Sequence, residues 1–184
     1  MQPVVEYFLV AVLSAVVLGA VLYYVYFIPR GIQVNVVKWE ALKEAYLAVN
    51  SNPSQGYTLP REAVVYAYPA KLRINNISIT VTSVRLVWKC ASPSVDLRGV
   101  WHLRGNGTHA FLYSTLYIVD RGSVLEVYYY NASVEKTKFL GFSEHSQPVF
   151  TIFTSNATIY FNGTAVYSFT GNRKIVVKCF ELKP

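Results

Sequence analysis

The sequence predicts an α+β protein: a long hydrophobic N-terminal α-helix followed by an all-β antiparallel sandwich, immunoglobulin-like in the loose sense. Val4–Ile28 contains 22 apolar residues in 25 positions. From Gly56 onward, short β-rich runs alternate with turn signals and no helical period is evident. A length of 184 residues fits one domain with an appended element. We therefore divide the chain into residues 1–50, the N-terminal helix, and residues 51–184, the β-domain.

The apolar run is long enough to cross a bilayer as a helix, at about 1.5 Å per residue. Tyr23, Tyr24 and Tyr26 lie near its end, as in an aromatic belt at a membrane interface. Beyond Pro29, the segment Val34–Val49 has apolar residues at three- and four-residue steps. We expect one helix from about residue 3 to residue 49, bent near Pro29, with an amphipathic second half that packs against its own β-domain.

The β-domain is predicted from eight to eleven short runs of strand-forming residues. Ile77–Thr82 alternates apolar and polar residues, as a half-buried strand does. Thr158–Tyr167 reads as a hairpin around Asn162-Gly163. The separators that we expect to end strands include Pro69, Pro93, Gly105-Asn106-Gly107 and Gly171-Asn172.

Five of the ten asparagines lie in Asn-x-Ser/Thr sequences in which x is not proline. Chance alone predicts about one or two such matches. Four of the five lie in apparent turns or strand ends, where a glycan can be accommodated. The alternative is that Asn-Gly and Ser-Asn are simply favourable turn dipeptides. The predicted N-glycosylation sites are Asn76, Asn106, Asn131, Asn156 and Asn162.

Cys90 and Cys179 are the only cysteines, and each closes a β-rich run. A disulfide between them would close a loop of about 90 residues and stabilise the domain by about 4 kcal/mol. The alternative is two separate buried thiols that behave as small apolar residues. Together with the glycosylation sequences, we predict the disulfide and an extracellular β-domain.

The distribution of charge conflicts with an extracellular location. All 17 lysines and arginines follow the apolar run, and the net charge is +7. The positive-inside rule would place the body in the cytoplasm. A basic leader that once preceded residue 1 and was removed would resolve this conflict.

The sequence contains no recognisable motif of an enzyme or cofactor site. It has no Walker loop, no dinucleotide fingerprint, no His-Glu-x-x-His and no Gly-x-Ser-x-Gly. His102 and His109 flank a Gly-Asn-Gly turn and would face each other across a hairpin, but a third ligand is not near in sequence. The basic residues are scattered, with Arg173-Lys174 the one adjacent pair in the body. We predict no catalytic residue, no metal and no cofactor, with other surfaces or nucleic acid as secondary contacts only.

A uniformly apolar N-terminal segment, an amphipathic continuation and an outward β-domain with glycosylation sequences together resemble an archaeal type IV pilin. This family includes adhesion pili and archaellum filaments, and the residue-level resemblance covers Gln2–Ile28. It implies that a dedicated peptidase removes a short basic leader. It also implies that the apolar segment waits in the membrane before assembly machinery moves it into a filament core. Bacterial relatives carry a glutamate at the fifth mature position, which Glu6 would occupy if Met1 were not counted.

The expected function is therefore structural: a homopolymer that forms a cell-surface filament, with glycosylated β-domains outside and a role in adhesion. Small residues permit close approach of neighbouring helices. Glu6 would neutralise the N-terminal amine of an adjacent subunit, or alternatively be a favourable first-turn charge. The alternative function is a monomeric, membrane-anchored β-domain that acts as a binding or stator module. The predicted helix-packing residues are Glu6, Ala11, Ser14, Ala15, Leu18 and Gly19.

Overall fold

The computed structural model describes residues 12–21 and 28–183. The chain divides into two compact units, with the boundary between Lys38 and Trp39. The described residues form two helices, which we call α1 (residues 12–21) and α2 (Ile28–Ser51), and a β-sheet. Among these residues, no helix is both long enough and apolar enough to cross a membrane.

The prediction of one long apolar helix over residues 3–49 is wrong. The described residues contain a helical stretch over residues 12–21 and the helix α2, which begins at Ile28 with Pro29 in its first turn, and none of these is a long apolar helix. Proline has no N–H to donate, and its fixed φ suits the start of a helix. Pro29 therefore suits its position in the first turn of α2. The parts of the prediction on residues 1–11 and 22–27 lie outside the described residues.

The second half of α2 is amphipathic, as predicted. Trp39, Leu42, Ala45 and Val49 are buried and recur every three or four residues. They join the first of two hydrophobic cores in the β-domain. Asn50 fixes the end of the helix to the sheet, because its side-chain oxygen accepts a 3.0 Å hydrogen bond from the Trp101 backbone N–H.

The sheet in the described residues has nine strands: β1 (Tyr57–Ile74), β2 (Ile77–Leu97), β3 (Trp101–Ser114), β4 (Tyr117–Asp120), β5 (Val124–Asn131), β6 (Lys136–Leu140), β7 (Phe142–Glu144), β8 (Phe150–Phe161) and β9 (Thr164–Leu182). Their order is β3-β2-β1-β8-β9-β5-β4, with β6 beside β1 and β7 beside β9. This agrees with the predicted β-sandwich, but the sheet is not wholly antiparallel, because β5 pairs with β9 in parallel. Parallel neighbours need a long connection, and the segment from β6 to β8 provides it.

Several residues that were expected to end strands lie inside them. Pro69 lies in β1 between the stretches that pair with β6 and β8, where its missing N–H interrupts neither ladder. Pro93 lies where the register between β2 and β3 shifts. Opposite it, Gly105 approaches so closely that an added Cβ would collide with the Pro93 carbonyl. These features bend long strands, as β-bulges do, and do not end them.

The β-domain has two hydrophobic cores, on opposite faces of the same long strands. In β1, Ala63 and Val65 belong to the first core, whereas Leu72 and Ile74 belong to the second. Side chains alternate between the two faces of a strand, and these two pairs differ in parity. β1 therefore exchanges its buried face for the other one along its length.

We expect Phe142→Ala to lower the free energy of unfolding by about 3–5 kcal/mol. The Phe142 ring is fully buried, 4.9 Å from the ring of Tyr130 and 5.2 Å from that of Trp101. Phe153→Ala is the matched control, because Phe153 is 78% exposed. It should change stability by less than about 0.5 kcal/mol. Denaturant unfolding of both variants measures this, and equal losses would contradict the assigned core.

Candidate functional sites

The helix α1 is an apolar surface with no cover among the described residues. All ten of its residues are exposed. Of the predicted packing residues, Ser14, Ala15, Leu18 and Gly19 lie on it, whereas Glu6 and Ala11 lie outside the described residues. Its large aliphatic side chains are Val12 (45% exposed), Leu13 (62%), Val16 (64%), Val17 (56%), Leu18 (62%) and Val21 (52%).

The five predicted glycosylation sites differ in their surroundings. Asn76 and Asn162 lie in hairpin turns, and Asn106 and Asn156 lie within β3 and β8. All four are exposed, whereas Asn131, the last residue of β5, is partly buried. The structure thus leaves four of the five side chains accessible, and the modification itself stays a prediction.

Asn162 has a structural role in its turn, whether or not it is modified. Its φ is 48° and that of Gly163 is 84°, as the predicted β8–β9 hairpin turn requires. Its side-chain oxygen accepts a 2.9 Å hydrogen bond from the Lys71 backbone N–H. This bond ties the turn to β1.

Cys90 and Cys179 are both buried, and the predicted disulfide between them is absent from the described residues. Cys90 packs in the first core. Cys179 lies opposite Tyr129 of β5 in the parallel pair. Burial raises the pKa of the Cys179 thiol to about 11, so the thiol is neutral at physiological pH. The structure therefore corresponds to the alternative of two buried thiols that pack as small apolar residues.

The two histidines considered as metal ligands lie on one strand. His102 and His109 are both in β3, so the hairpin that would have brought them face to face is not formed. Burial lowers the pKa of His102. No group of three or more His, Cys, Asp or Glu side chains that could hold a metal comes together in residues 12–21 and 28–183.

A half-buried ionic cluster was missed in the sequence. Lys178 of β9 donates hydrogen bonds to Glu126 (3.1 Å) and Glu144 (2.6 Å), and Arg121 donates to Glu126 (2.8 Å). The hydrogen bond to Glu144 is the main reason that the pKa of Lys178 is raised. Burial acts to raise the pKa of Glu126, but the bonds from Arg121 and Lys178 outweigh it and keep this pKa below 4.5. The partners come from four separate segments, so no local motif could reveal them.

Several basic residues that look scattered in the sequence also lie close together in the structure. Arg85 lines one cleft with Arg98 and a second cleft with Arg104. Lys89 lies on the same face of β2 as Arg85, two strand periods away. The sequence signal for this was that Arg85, Val87 and Lys89 occupy every second position of one strand and therefore share one of its faces.

Comparisons with known protein families, with curated proteins and with solved structures find no match to this chain.

We expect Asn162→Gln to lower the free energy of unfolding by about 1–2 kcal/mol, because glutamine tolerates a positive φ poorly and loses the bond to Lys71. Asn76→Gln is the control. Asn76 is exposed in the β1–β2 turn, and its side chain makes no hydrogen bond within the described part of the chain. Both changes remove one glycosylation sequence, so unfolding of unmodified protein separates the role in the turn from that of the glycan. Equal stability of the two variants would contradict the structural role of Asn162.

We expect the ionic cluster to make stability depend on pH at the acid side. Because the folded-state pKa of Glu126 is lowered, its contribution is complete above about pH 4.5 and is lost as the pH falls through the folded-state value. Glu126→Gln should flatten this acid limb in unfolding measurements between pH 7 and pH 3. Glu62→Gln, at an exposed position of β1, should leave it unchanged, and an unaltered limb in Glu126→Gln would contradict the account.

Proposed function

We propose that this chain is a structural subunit of an extracellular filament of the type IV pilin kind. The apolar N-terminal segments of many copies pack together, and the β-domains face outward. The observation that supports this proposal most is the exposure of the aliphatic side chains of α1. A helix that is apolar on all sides is stable in water only when something covers it.

The free energy available from covering α1 is large. Burial of one Val or Leu side chain contributes about 1.5–3 kcal/mol. Six such side chains, each about half exposed, therefore offer on the order of 5–10 kcal/mol per subunit. At 100° per residue, the six large aliphatic side chains spread over about 240° of the helix circumference, and Ala15 lies in the remaining sector. Such a helix can be covered by several neighbours at once, as in the centre of a filament.

Gly19 supports contact with other copies. A glycine inside a helix costs about 1 kcal/mol relative to alanine. No described atom lies within 4 Å of the position that a Cβ would take at Gly19, so packing in the described part of the chain does not account for the glycine. Close approach of a second helix does, because small residues allow backbones to come together.

The β-domain supplies the outer surface in this proposal. Four predicted glycosylation sites are exposed on it, and a glycan layer suits the outside of a cell-surface filament used for adhesion. Before assembly, the apolar segment is held at the membrane, and assembly machinery transfers it to the growing polymer.

The competing function is a monomeric binding or stator module, anchored to the membrane on its outer face. The same exposure of α1 favours it, since lipid covers an apolar helix as well as protein does. The two functions differ in one respect, namely whether neighbouring copies cover α1.

We expect Leu18→Lys to abolish filament assembly and leave the β-domain folded. An unpaired lysine buried between packed helices costs several kcal/mol. Leu47→Lys is the matched control: Leu47 is also 62% exposed, but lies on α2. Electron microscopy counts filaments, and circular dichroism checks the fold. Normal filaments from Leu18→Lys would contradict the proposal, and wild-type protein found only as single molecules in lipid would favour the anchored module.

A further inference from the structure

The outer face of β1, β2 and β3 carries aromatic rings beside cations. In the pairing register, Tyr66 of β1 lies opposite Arg85 of β2, and Arg85 lies opposite Tyr113 of β3. Phe111 and Lys89 follow on the same face of their strands, two and four positions along. Directly opposed residues have Cβ atoms about 5 Å apart, so a cation lies between two rings in one row. We call Tyr66, Arg85, Lys89, Phe111 and Tyr113 the basic-aromatic face.

The face is accessible. Tyr66 is 54% exposed, Arg85 and Lys89 are exposed, and Phe111 and Tyr113 are half-buried. Two clefts meet on it, because both are lined by Arg85 and Tyr113. One has a volume of about 740 Å³ and also contains Tyr68 and His102, and the other, of about 480 Å³, contains Arg104 and Phe111. Tyr68 extends the alternation of cation and ring, since the Arg85 guanidinium lies 5.4 Å from the centre of its ring.

Positive charge is in excess on this face. Most carboxylates elsewhere on the sheet are paired: Asp120 with Arg173, Glu126 with Arg121 and Lys178, and Glu144 with Lys178. Here, Arg98 contacts Asp96 at 3.4 Å. In the described part of the chain, Arg85, Lys89 and Arg104 belong to no ion pair. Glu62, at an exposed position of β1 beside this face, belongs to none either. The cations at and beside the face, namely Arg85, Lys89, Arg98, Arg104 and Lys136, outnumber the carboxylates there, namely Glu62, Asp96 and Glu135.

We propose that the basic-aromatic face binds single-stranded nucleic acid, with bases stacked on Tyr66, Phe111 and Tyr113 and phosphates held by Arg85 and Lys89. Proteins that bind single strands without sequence preference combine a basic groove with aromatic side chains on which successive bases stack. Same-face residues on one strand are about 7 Å apart. Phe111 and Tyr113 therefore present two rings side by side to one chain.

The arrangement favours a single strand over the other polyanions. A duplex keeps its bases stacked on one another and offers its phosphates, so it would use the cations and leave the rings unused. An acidic polysaccharide has charge but no aromatic base to stack on a ring. The interleaving of rings and cations is what distinguishes a single strand.

The test is fluorescence anisotropy with labelled oligo-dT and the full chain in a zwitterionic detergent, at 50 and 200 mM salt. Tyr66→Ala and Tyr113→Ala should each weaken binding by about 5- to 150-fold. Arg85→Gln should reduce the slope of log affinity against log salt by about 0.7. Tyr66→Ala keeps the test valid if Tyr113→Ala impairs folding, because Tyr66 is the more exposed ring.

The matched control is Phe153→Ala, which removes an exposed ring beside a cation, Lys174, on another part of the sheet. It should bind oligo-dT as the wild type does. Equal affinity for heparin or duplex DNA, or unchanged binding of oligo-dT by both tyrosine variants, would overturn the proposal and leave a basic patch of no particular selectivity. The assay does not depend on filament formation, so its failure would leave the proposed filament untouched.

Discussion

The long strands of the β-domain bury one face along part of their length and the opposite face along the rest. In β1 the change falls between Val65 and Ala70, and in β5 it falls between Val127 and Tyr128. Because side chains alternate strictly along a strand, one strand then contributes to two cores. This lets a small domain cover both the α2 helix and a second layer with a single sheet path.

The change of buried face also decides which surfaces stay open. Where β1 and β2 cover the first core, Tyr66 and Arg85 on their other face are exposed. Further along, the same side is covered by the second core, and the cleft of about 740 Å³ lies at this step. The exposure of the basic-aromatic face is thus a consequence of the fold, and its side chains make it both aromatic and positively charged. α1 is a second exposed surface, on which Ser14 is the one polar side chain.

Local patterns predicted the amphipathic half of α2, the Asn162-Gly163 hairpin and a β-sandwich, because each rests on periodicity or turn chemistry within a few residues. They did not predict that Pro69, Pro93 and Gly105 lie inside strands, since this depends on which neighbour pairs at that point. Pro29, which was expected at a bend, lies in the first turn of α2, a position that also suits proline. The Lys178 cluster and the basic-aromatic face unite residues far apart in the chain, and only the strand register brings them together.

Site-specific cross-linking of Val17→Cys tests most directly whether other copies of the chain cover α1. Val17 is 56% exposed, and both native cysteines are buried, so a short thiol cross-linker reports on position 17. We expect covalently joined pairs of chains from material assembled without detergent, because one reactive thiol per chain lets the reagent join two copies. A cysteine at position 17 that joins no second chain, and is labelled instead by a photoreactive lipid, would contradict the filament.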